Sequence, residues 1–323
     1  MENKKPFAII FAIILMMGII VFSNFDSARA ASNDDSNKDI TKVTEICDNG
    51  VDDNGDGKLD DNCPSIPENR NHTRVIIAGD LSGDSVGDSV ASAIKERQPN
   101  LFVAIGDLGY ADNLNWYRSS FSSLGDRVKC VIGNHDAKEE SDSNPVVQQT
   151  VDTCGISWHF KIANGTTLMF GFNTNGDLNN QDKLNKQLDI TKKVLSNNTY
   201  MNGVKSIYIL THKPCFTHPN SVHKVGQSDA VNVKPFCNSL ANVLPQGVDI
   251  TYISGHNHEI ASTSDGSKFV SGGGGRHSHQ QCGKDNNWNF CETQDGFLEF
   301  RIGNKDPWKF LNTTGGVIKP NPN

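Results

Sequence analysis

The sequence predicts an α/β fold, and two observations support this prediction. From Thr73 onward, short apolar runs alternate with amphipathic stretches of helical length. Five of the apolar runs end in a cluster of Asp, Asn or His side chains. Because sheet proteins place their sites at the carboxyl ends of strands, clusters that are far apart in sequence are expected to meet in space.

The elements follow one another in a regular order. The five strands that end in polar clusters are predicted over residues 74–78, 101–105, 128–132, 206–210 and 249–253. Amphipathic stretches predict helices over residues 86–97, 116–124 and about 180–196. Two hairpins are predicted, one turning at Asn164-Gly165 and one over residues 260–270, followed by a late strand over 297–302. Asp84 is expected to cap the first helix.

Composition and charge exclude several classes of protein. The chain has 323 residues, of which 36% are hydrophobic, with 29 Gly and 12 Pro. This usage excludes collagen, coiled coils and wholesale disorder. The net charge is -7, and residues 31–63 alone hold ten Asp or Glu against three Lys. The remainder is near neutral, so the sequence has no basic footprint for nucleic acid.

The N-terminus has the layout of an export signal. Residues 7–22 are 16 apolar or Gly positions, preceded by two lysines and followed by the small-residue site Ala28-Arg29-Ala30. This pattern predicts a signal peptide over residues 1–30, while its length leaves open an uncleaved anchor that tethers the chain to a membrane through residues 7–22. Either way, residues 31–323 are expected to be secreted or held at the cell surface. Residues 31–44 are polar and are interpreted as a linker.

The eight cysteines are interpreted in the light of export. An even number of cysteines outside the cytosol favours disulfide bonds. Eight cysteines allow 105 connectivities, so pairing of sequence neighbours is only an expectation. The pairs expected on that basis are Cys47–Cys63, Cys130–Cys154, Cys215–Cys237 and Cys282–Cys291.

Residues 45–66 form an acidic module that resembles a short calcium loop. Side-chain oxygens stand at positions 1, 3, 5 and 9 of such a loop, and Gly57 stands at position 6, where the chain must turn sharply. The candidate calcium ligands are Asp52, Asn54, Asp56, Lys58 through its carbonyl, and Asp60. Position 12 is Cys63 in place of the usual Glu, so binding is expected to be weak. A solvated acidic turn is the alternative.

The strand-end clusters supply the ligands of a metal site. The candidate ligands are Asp80, Asp107, Tyr110, Asn134, His212, His256 and His258, and His135 lies among them in the sequence. They offer oxygen and nitrogen but no thiolate, which suits iron, manganese or zinc. Two metals that share a carboxylate need about this many ligands, and two-metal sites clamp the oxygens of a phosphoryl group.

In these blocks the sequence resembles the calcineurin-like metallophosphoesterases, and specifically their purple acid phosphatase branch. The five blocks are Gly79-Asp80, Gly106-Asp107-Leu108-Gly109-Tyr110, Gly133-Asn134-His135-Asp136, Ile209-Leu210-Thr211-His212 and Gly255-His256-Asn257-His258. The resemblance covers about residues 73–303. It implies a two-sheet β-sandwich flanked by helices, with a dinuclear site at the strand ends, and one catalytic domain over residues 70–323.

The resemblance also implies a role for each ligand. One metal, usually Fe(III), takes Asp80, Asp107, Tyr110 and His258. The second, a divalent Fe, Zn or Mn ion, takes Asp107, Asn134, His212 and His256. His135 lies beside the metals and faces the substrate as the catalytic proton donor. Tyr110 marks the branch, because many other relatives have a His where this chain has Ser82.

The implied activity is hydrolysis of small phosphomonoesters by an exported phosphatase. A phosphodiesterase or nucleotidase of the same fold, or a non-catalytic calcium-dependent surface protein, remains open as an alternative. Substrate-selecting residues lie in variable loops, where His218 is a candidate substrate contact. The Gly272–Gly275 run, with His277 and His279 after it, is typical of a loop near the site. The oligomeric state is not indicated.

Overall fold

The computed structural model describes residues 72–110, 114–136, 145–175, 181–223, 233–276, 282, 285–304 and 307–320. All of them belong to the second of two compact units, Val43–Asn323. The predicted signal or anchor (1–30), linker (31–44) and calcium module (45–66) lie outside the described residues, as do His277 and His279. These assignments therefore stay predictions.

The described residues form two sheets, and the first has six strands in the order β13-β12-β11-β1-β2-β3. Its strands are β1 (Thr73–Ala78), β2 (Leu101–Ile105), β3 (Val128–Val131), β11 (Gly296–Ile302), β12 (Trp308–Asn312) and β13 (Val317–Pro320). β1, β2 and β3 are parallel, and β11 joins β1 in antiparallel pairing. The carboxyl ends of the three parallel strands consequently lie at one edge.

The second sheet has seven strands in the order β10-β8-β9-β7-β6-β5-β4. Its strands are β4 (Ser157–Ile162), β5 (Thr167–Phe172), β6 (Ser206–Thr211), β7 (Asp249–Ser254), β8 (Ile260–Thr263), β9 (Lys268–Ser271) and β10 (Trp288–Glu292). β5, β6, β7 and β9 run parallel. Asn164 and Gly165 turn the chain between β4 and β5 with positive φ angles of 54° and 80°.

Within the described residues, six α-helices accompany the sheets. They are α1 (Ser85–Glu96), α2 (Leu114–Phe121), α3 (Pro145–Cys154), α4 (Gln181–Ser196), α5 (Asn198–Met201) and α6 (Val233–Ala241). The Asp84 carboxylate accepts hydrogen bonds from the amides of Val86 and Gly87, so the predicted cap of α1 is confirmed. Among the described residues, none of the helices combines the length and the apolar character that crossing a membrane requires.

Strand periodicity explains how the layers pack. Side chains alternate between the two faces of a strand. Val75 and Ile77 of β1 therefore pack against the second sheet, while Ile76 faces the helix layer that contains α1. The outer face of the second sheet is covered by α4 and α6. The two-sheet sandwich flanked by helices is confirmed.

Three disulfides are described, and each joins a predicted pair. They are Cys130–Cys154, Cys215–Cys237 and Cys282–Cys291. These three pairings are confirmed, while Cys47 and Cys63 lie outside the described residues. Disulfides of this number belong to an oxidising environment, as found outside the cell.

Candidate metal centre

The strand ends of both sheets deliver the predicted ligands to one place. Asp80 follows β1, Asp107 follows β2 and Asn134 follows β3, whereas His212 follows β6 and the His256–His258 segment follows β7. A hydrogen bond of 2.9 Å from the His256 amide to Asp80 Oδ2 links the two sets. Parallel pairing within each sheet is what aligns these ends.

The backbone at this edge is strained at three of the residues. Asp80, Asp107 and His256 have positive φ angles of 59°, 53° and 70°. The left-handed region disfavours residues other than glycine and costs about 1–3 kcal/mol each in such places. Strain that recurs at three converging polar residues indicates a functional site.

Asp80, Tyr110 and His258 form the first group of close contacts. The Tyr110 hydroxyl donates to Asp80 Oδ1 over 3.2 Å and lies 2.8 Å from His258 Nε2. His258 Nε2 is 3.5 Å from the same Asp80 oxygen. A phenol, a carboxylate and an imidazole therefore point at a common centre.

His212, Asn134 and Asp107 form the second group. His212 Nδ1 lies 2.9 Å from the carbonyl oxygen of Ile105, which only accepts, so Nδ1 carries the proton and donates it. Nε2 then presents a lone pair to Asn134 Oδ1 at 2.9 Å and to Asp107 Oδ1 at 3.3 Å. Burial lowers the pKa of His212 to about 4, so Nε2 carries no proton near neutral pH. The imidazole nitrogen and the two oxygens therefore face one another with lone pairs only. A cation fits between them.

The charges of the cluster also favour a cation. Asp80 and Asp107 are 0% and 1% exposed, and among the described residues neither pairs with a lysine or arginine. Burial, followed by repulsion from Asp107, raises the pKa of Asp80 well above its usual range. Burial would also raise the pKa of Asp107, but the neighbouring His212 and His135 lower it. Burial and the two carboxylates raise the pKa of Tyr110, so a phenolate there needs a strongly polarising cation.

The donor set and its surroundings fit a first-row transition metal. Ligand atoms of Asp80, Asp107 and His212 all lie within 4.8 Å of one another. The backbone leaves little room beside them, because a Cβ at Gly133 would lie 2.1 Å from Asp107 Oδ1. Hard oxygen and imidazole donors without a thiolate suit iron, manganese or zinc.

A comparison with protein-family models supports this assignment. The model of the calcineurin-like phosphoesterases matches residues 65–260, which is more than half of the chain. The chain belongs to the calcineurin-like phosphoesterase family. The calcineurin-like phosphoesterases are a large group of hydrolases, and the strand-end cluster lies in the fold that they share. A search of curated proteins finds no significant sequence match.

Solved phosphoesterase-like structures share the fold at low sequence identity. GAP50, the anchor in the inner membrane complex of Plasmodium, is 16% identical with a TM-score of 0.53, covering 78% of this chain and 89% of GAP50. Purple acid phosphatase PPD1 from yellow lupin (Lupinus luteus) is 14% identical with a TM-score of 0.53, covering 80% of this chain and 54% of PPD1. PhoD is 11% identical with a TM-score of 0.50, covering 79% and 69%. The chain thus spans about half the length of the lupin enzyme.

Asp136 supports the phosphoesterase site, although the sequence indicated no role for it. Its Oδ2 accepts from the amides of Asp107 at 2.8 Å and Gly133 at 2.7 Å, and its Oδ1 accepts from Leu108 at 2.7 Å. One carboxylate thereby ties the loop after β2 to the loop after β3. Burial, followed by the charge of Asp107, raises its pKa to about 7. Its place at the end of the Gly133-Asn134-His135-Asp136 block was the available signal.

Two histidines outside the ligand set, His135 and His223, lie next to the cluster. His135 is exposed, its amide donates to Asp107 Oδ1 over 2.9 Å, and its ring lies 4.6 Å from the ring of Tyr110. His223, which sequence reasoning did not select, lies 4.5 Å from the ring of His256, and its amide donates to Asn257 Oδ1 over 3.1 Å. Both rings adjoin the cluster.

His218 is not brought to the surface of the site. Its side chain is fully buried, and Nδ1 accepts from the amide of Asn220 over 3.2 Å. The ring packs edge-on against Trp288 at 6.1 Å. A substrate contact would need an exposed side chain, and the His218 imidazole is buried within its own loop. His218 is therefore neither a substrate contact nor a solvated surface residue.

The Gly272–Gly275 run lies directly against the turn that carries Asp80. The Gly274 amide donates to the Gly79 carbonyl over 3.0 Å, and a Cβ at Gly272 would lie 2.6 Å from Asp80 Oδ2. The glycines are therefore required by close backbone packing. Arg276 follows, and its guanidinium carbon lies 4.6 Å from the centroid of the Tyr110 ring.

Proposed function

We propose that the protein is an exported phosphatase that hydrolyses small phosphomonoesters at a dinuclear Fe(III)–M(II) centre, with M being Fe, Zn or Mn. The observation that carries this proposal is the position of Tyr110, whose hydroxyl contacts both Asp80 and His258. A phenolate and carboxylates are hard donors that suit Fe(III). The disulfides and the export-type N-terminus support the location.

The ligands are assigned to two ions that share Asp107. Asp80, Asp107, Tyr110 and His258 would hold Fe(III), and Asp107, Asn134, His212 and His256 would hold M(II). When bound, the ions supply Lewis acidity, which neutralises charge on phosphoryl oxygens and lowers the pKa of water. Asp136 fixes the loops that carry Asp107 and Asn134.

His135 is the proposed catalytic residue of the chain itself. The imidazole is exposed, and its ring centroid lies 4.6 Å from that of Tyr110 beside the ligand cluster. From there it can donate a proton to the leaving alkoxide or a hydrogen bond to a phosphoryl oxygen. General acid catalysis of this kind contributes about 10²–10⁴-fold to turnover.

A non-catalytic anchor is the second candidate function. The likeness to GAP50, described as an anchor, favours it, and an uncleaved segment at residues 7–22 together with calcium binding at residues 45–66 would suit a surface role. The complete donor set argues for the phosphatase, since a site that no longer binds metal is free to lose its ligands. A phosphodiesterase would keep the same donors.

The test combines metal analysis, colour and turnover on the full exported chain. Fe(III)–phenolate absorbs visible light, so the wild-type protein should be coloured, hold two metals and hydrolyse p-nitrophenyl phosphate. Tyr110→Phe should lose the band. Tyr117→Phe is the matched control, because this other buried tyrosine has no hydrogen-bond partner for its hydroxyl within the described residues.

Each alternative gives a different result. A colourless, fully active protein with two zinc ions would exclude the iron centre and keep the phosphoesterase. Faster hydrolysis of bis(p-nitrophenyl) phosphate than of the monoester would indicate a phosphodiesterase. Two bound metals without turnover of either ester would favour the anchor.

A further inference from the structure

We propose that Arg276 binds the phosphoryl group of the substrate and makes the site selective for dianionic phosphomonoesters over monoanionic diesters. The inference rests on the proposed function and names the residue that would set its substrate class. Arg276 lies in none of the five ligand blocks, and it follows β9 at the edge where the ligands converge.

The backbone before Arg276 is fixed against the Asp80 turn. Gly274 donates to the Gly79 carbonyl over 3.0 Å and accepts from the Ser82 amide over 3.2 Å, and Leu81 and Gly275 form an antiparallel bridge. At Gly275, a Cβ would lie 2.7 Å from Ser82 Oγ. Arg276 is consequently delivered to the site by a segment with little freedom to shift.

The side chain of Arg276 and the proposed catalytic histidine both lie against the ring of Tyr110. Its guanidinium carbon is 4.6 Å from the centroid of the Tyr110 ring, and the His135 ring is 4.6 Å from the same centroid. Arg276 is exposed, so the group faces solvent at the mouth of the cluster. A contact between a guanidinium and an aromatic ring uses no N–H hydrogen bond, so the N–H donors of Arg276 stay available for an anion.

Arg276 has no acidic partner within the residues that the structure describes. Within the described part of the chain, no carboxylate forms an ion pair with it, whereas Arg97 and Arg301 both pair with Glu299. An arginine without an acidic partner, next to a phosphoesterase centre, is free to bind an anionic group of the substrate. Its planar fork matches two oxygens of one phosphate.

The difference between the two ester classes follows from their charge. A monoester dianion has three terminal oxygens, so one or two remain for Arg276 when others face the ligand cluster. A diester has two terminal oxygens that share one negative charge. Its second ester group occupies the position that the third terminal oxygen has in a monoester. The guanidinium therefore stabilises the bound monoester more than the diester.

The test uses Arg276→Gln and Arg276→Lys in the metal-loaded full chain, with Arg118→Gln as the matched control. Arg118 is an exposed arginine of α2 whose contacts are with Gln149 and Thr153. Three quantities are measured: kcat/KM for p-nitrophenyl phosphate and for its bis ester, the Kd of inorganic phosphate by calorimetry, and bound metal.

Arg276→Gln should lower kcat/KM for the monoester by about 10- to 100-fold, as expected for loss of a hydrogen bond to a charged group. The diester value should change by less than about 3-fold, the phosphate Kd should rise by about the same factor as the monoester loss, and bound metal should stay constant. Arg276→Lys should fall between wild type and Gln, because it keeps the charge and loses the fork.

Several results would overturn the inference. Equal losses on both esters, an unchanged phosphate Kd, or loss of metal in Arg276→Gln would each do so, the last because Arg276 would then be supporting Tyr110. If wild type hydrolyses neither ester, the proposed function fails. The phosphate Kd of wild type against Arg276→Gln still decides in that case whether Arg276 binds a phosphoryl group, and an unchanged Kd would overturn the inference.

Discussion

The buried carboxylates of the first sheet differ in whether neighbouring cationic side chains compensate their charge. Glu299 of β11 is fully buried, and four cationic side chains of the described residues surround it. The partners and their distances are Arg301 Nε at 2.6 Å, Arg97 Nε at 3.0 Å, Arg74 Nε at 3.6 Å and Lys309 Nζ at 3.6 Å. Burial alone would raise the pKa of Glu299, but Arg97 and Arg301 hold it below its usual value.

Asp80 and Asp107 have no such partners among the described residues. They are as buried as Glu299, yet their neighbours are imidazoles, an amide oxygen and a phenol. The pKa of Asp80 is raised where that of Glu299 is lowered. A buried charge that the chain neutralises itself serves stability, whereas one left without protein cations calls for a cation from outside.

The largest expected effect comes from removing one charge of the uncompensated group. Asp80→Asn should lower metal content and reduce turnover by more than ~100-fold, the upper figure for residues that only support a ligand. The metal-free variant should be more stable than metal-free wild type, because a buried like charge beside Asp107 is gone. Each kcal/mol relieved should raise Tm by about 2–4 °C.

Metal analysis, turnover and thermal unfolding without metal check this prediction. Asp126→Asn, at an exposed aspartate of the turn after α2, is the control and should change none of the three. A metal-free Asp80→Asn protein that melts below wild type would show that Asp80 stabilises the fold by its hydrogen bonds from Tyr110 and His256, and the contrast with Glu299 would fail.

The structural features that depend on local sequence patterns were predicted correctly. Each strand end carried its own polar cluster, so parallel pairing within each sheet was enough to align Asp80 with Asp107, and packing of the two sheets brings His212 to them. Asp84 and the Asn164-Gly165 turn were also readable locally. The helices α3, α5 and α6 and the strands β10, β12 and β13 were not predicted, and each of them is short.

Long-range arrangements could not be predicted. Arg97 meets Glu299 across 202 residues, and nothing near either residue indicates the other. The closeness of Arg276 to Tyr110 likewise depends on how the Gly272–Gly275 segment packs on the Asp80 turn. The glycine run itself was visible, but the reason for it, close approach of backbone to a carboxylate, needed the structure.

Glu299→Gln should have the second largest effect, and on stability alone. Removing the carboxylate leaves Arg97, Arg301 and their neighbours facing one another, and breaking a partly or fully buried pair costs about 3–5 kcal/mol. Turnover per folded molecule should stay at the wild-type value, because Glu299 lies outside the metal centre. Urea unfolding and metal-normalised activity measure the two effects.

Glu96→Gln is the control for that variant, since Glu96 is an exposed glutamate of α1 and should shift stability by no more than about 0.5 kcal/mol. Loss of activity in folded Glu299→Gln would mean that the ion network also shapes the catalytic edge. The separation between a structural and a functional carboxylate group would then not hold.

The smallest effect is the pH dependence of the Glu299 contribution. Its pKa in the folded protein lies below the ordinary value of 4.5, so the unfolded chain takes up the proton first as pH falls. The stabilisation is therefore fully present above about pH 4.5 and is lost as pH drops through the folded-state pKa. The gap in unfolding free energy between wild type and Glu299→Gln should be constant from about pH 7 to 5 and shrink below that. Comparing the two proteins at each pH cancels every other titrating group they share. A gap that stays constant down to pH 3 would show that the cost of the substitution is one of packing, because charge pairing would have been titrated away.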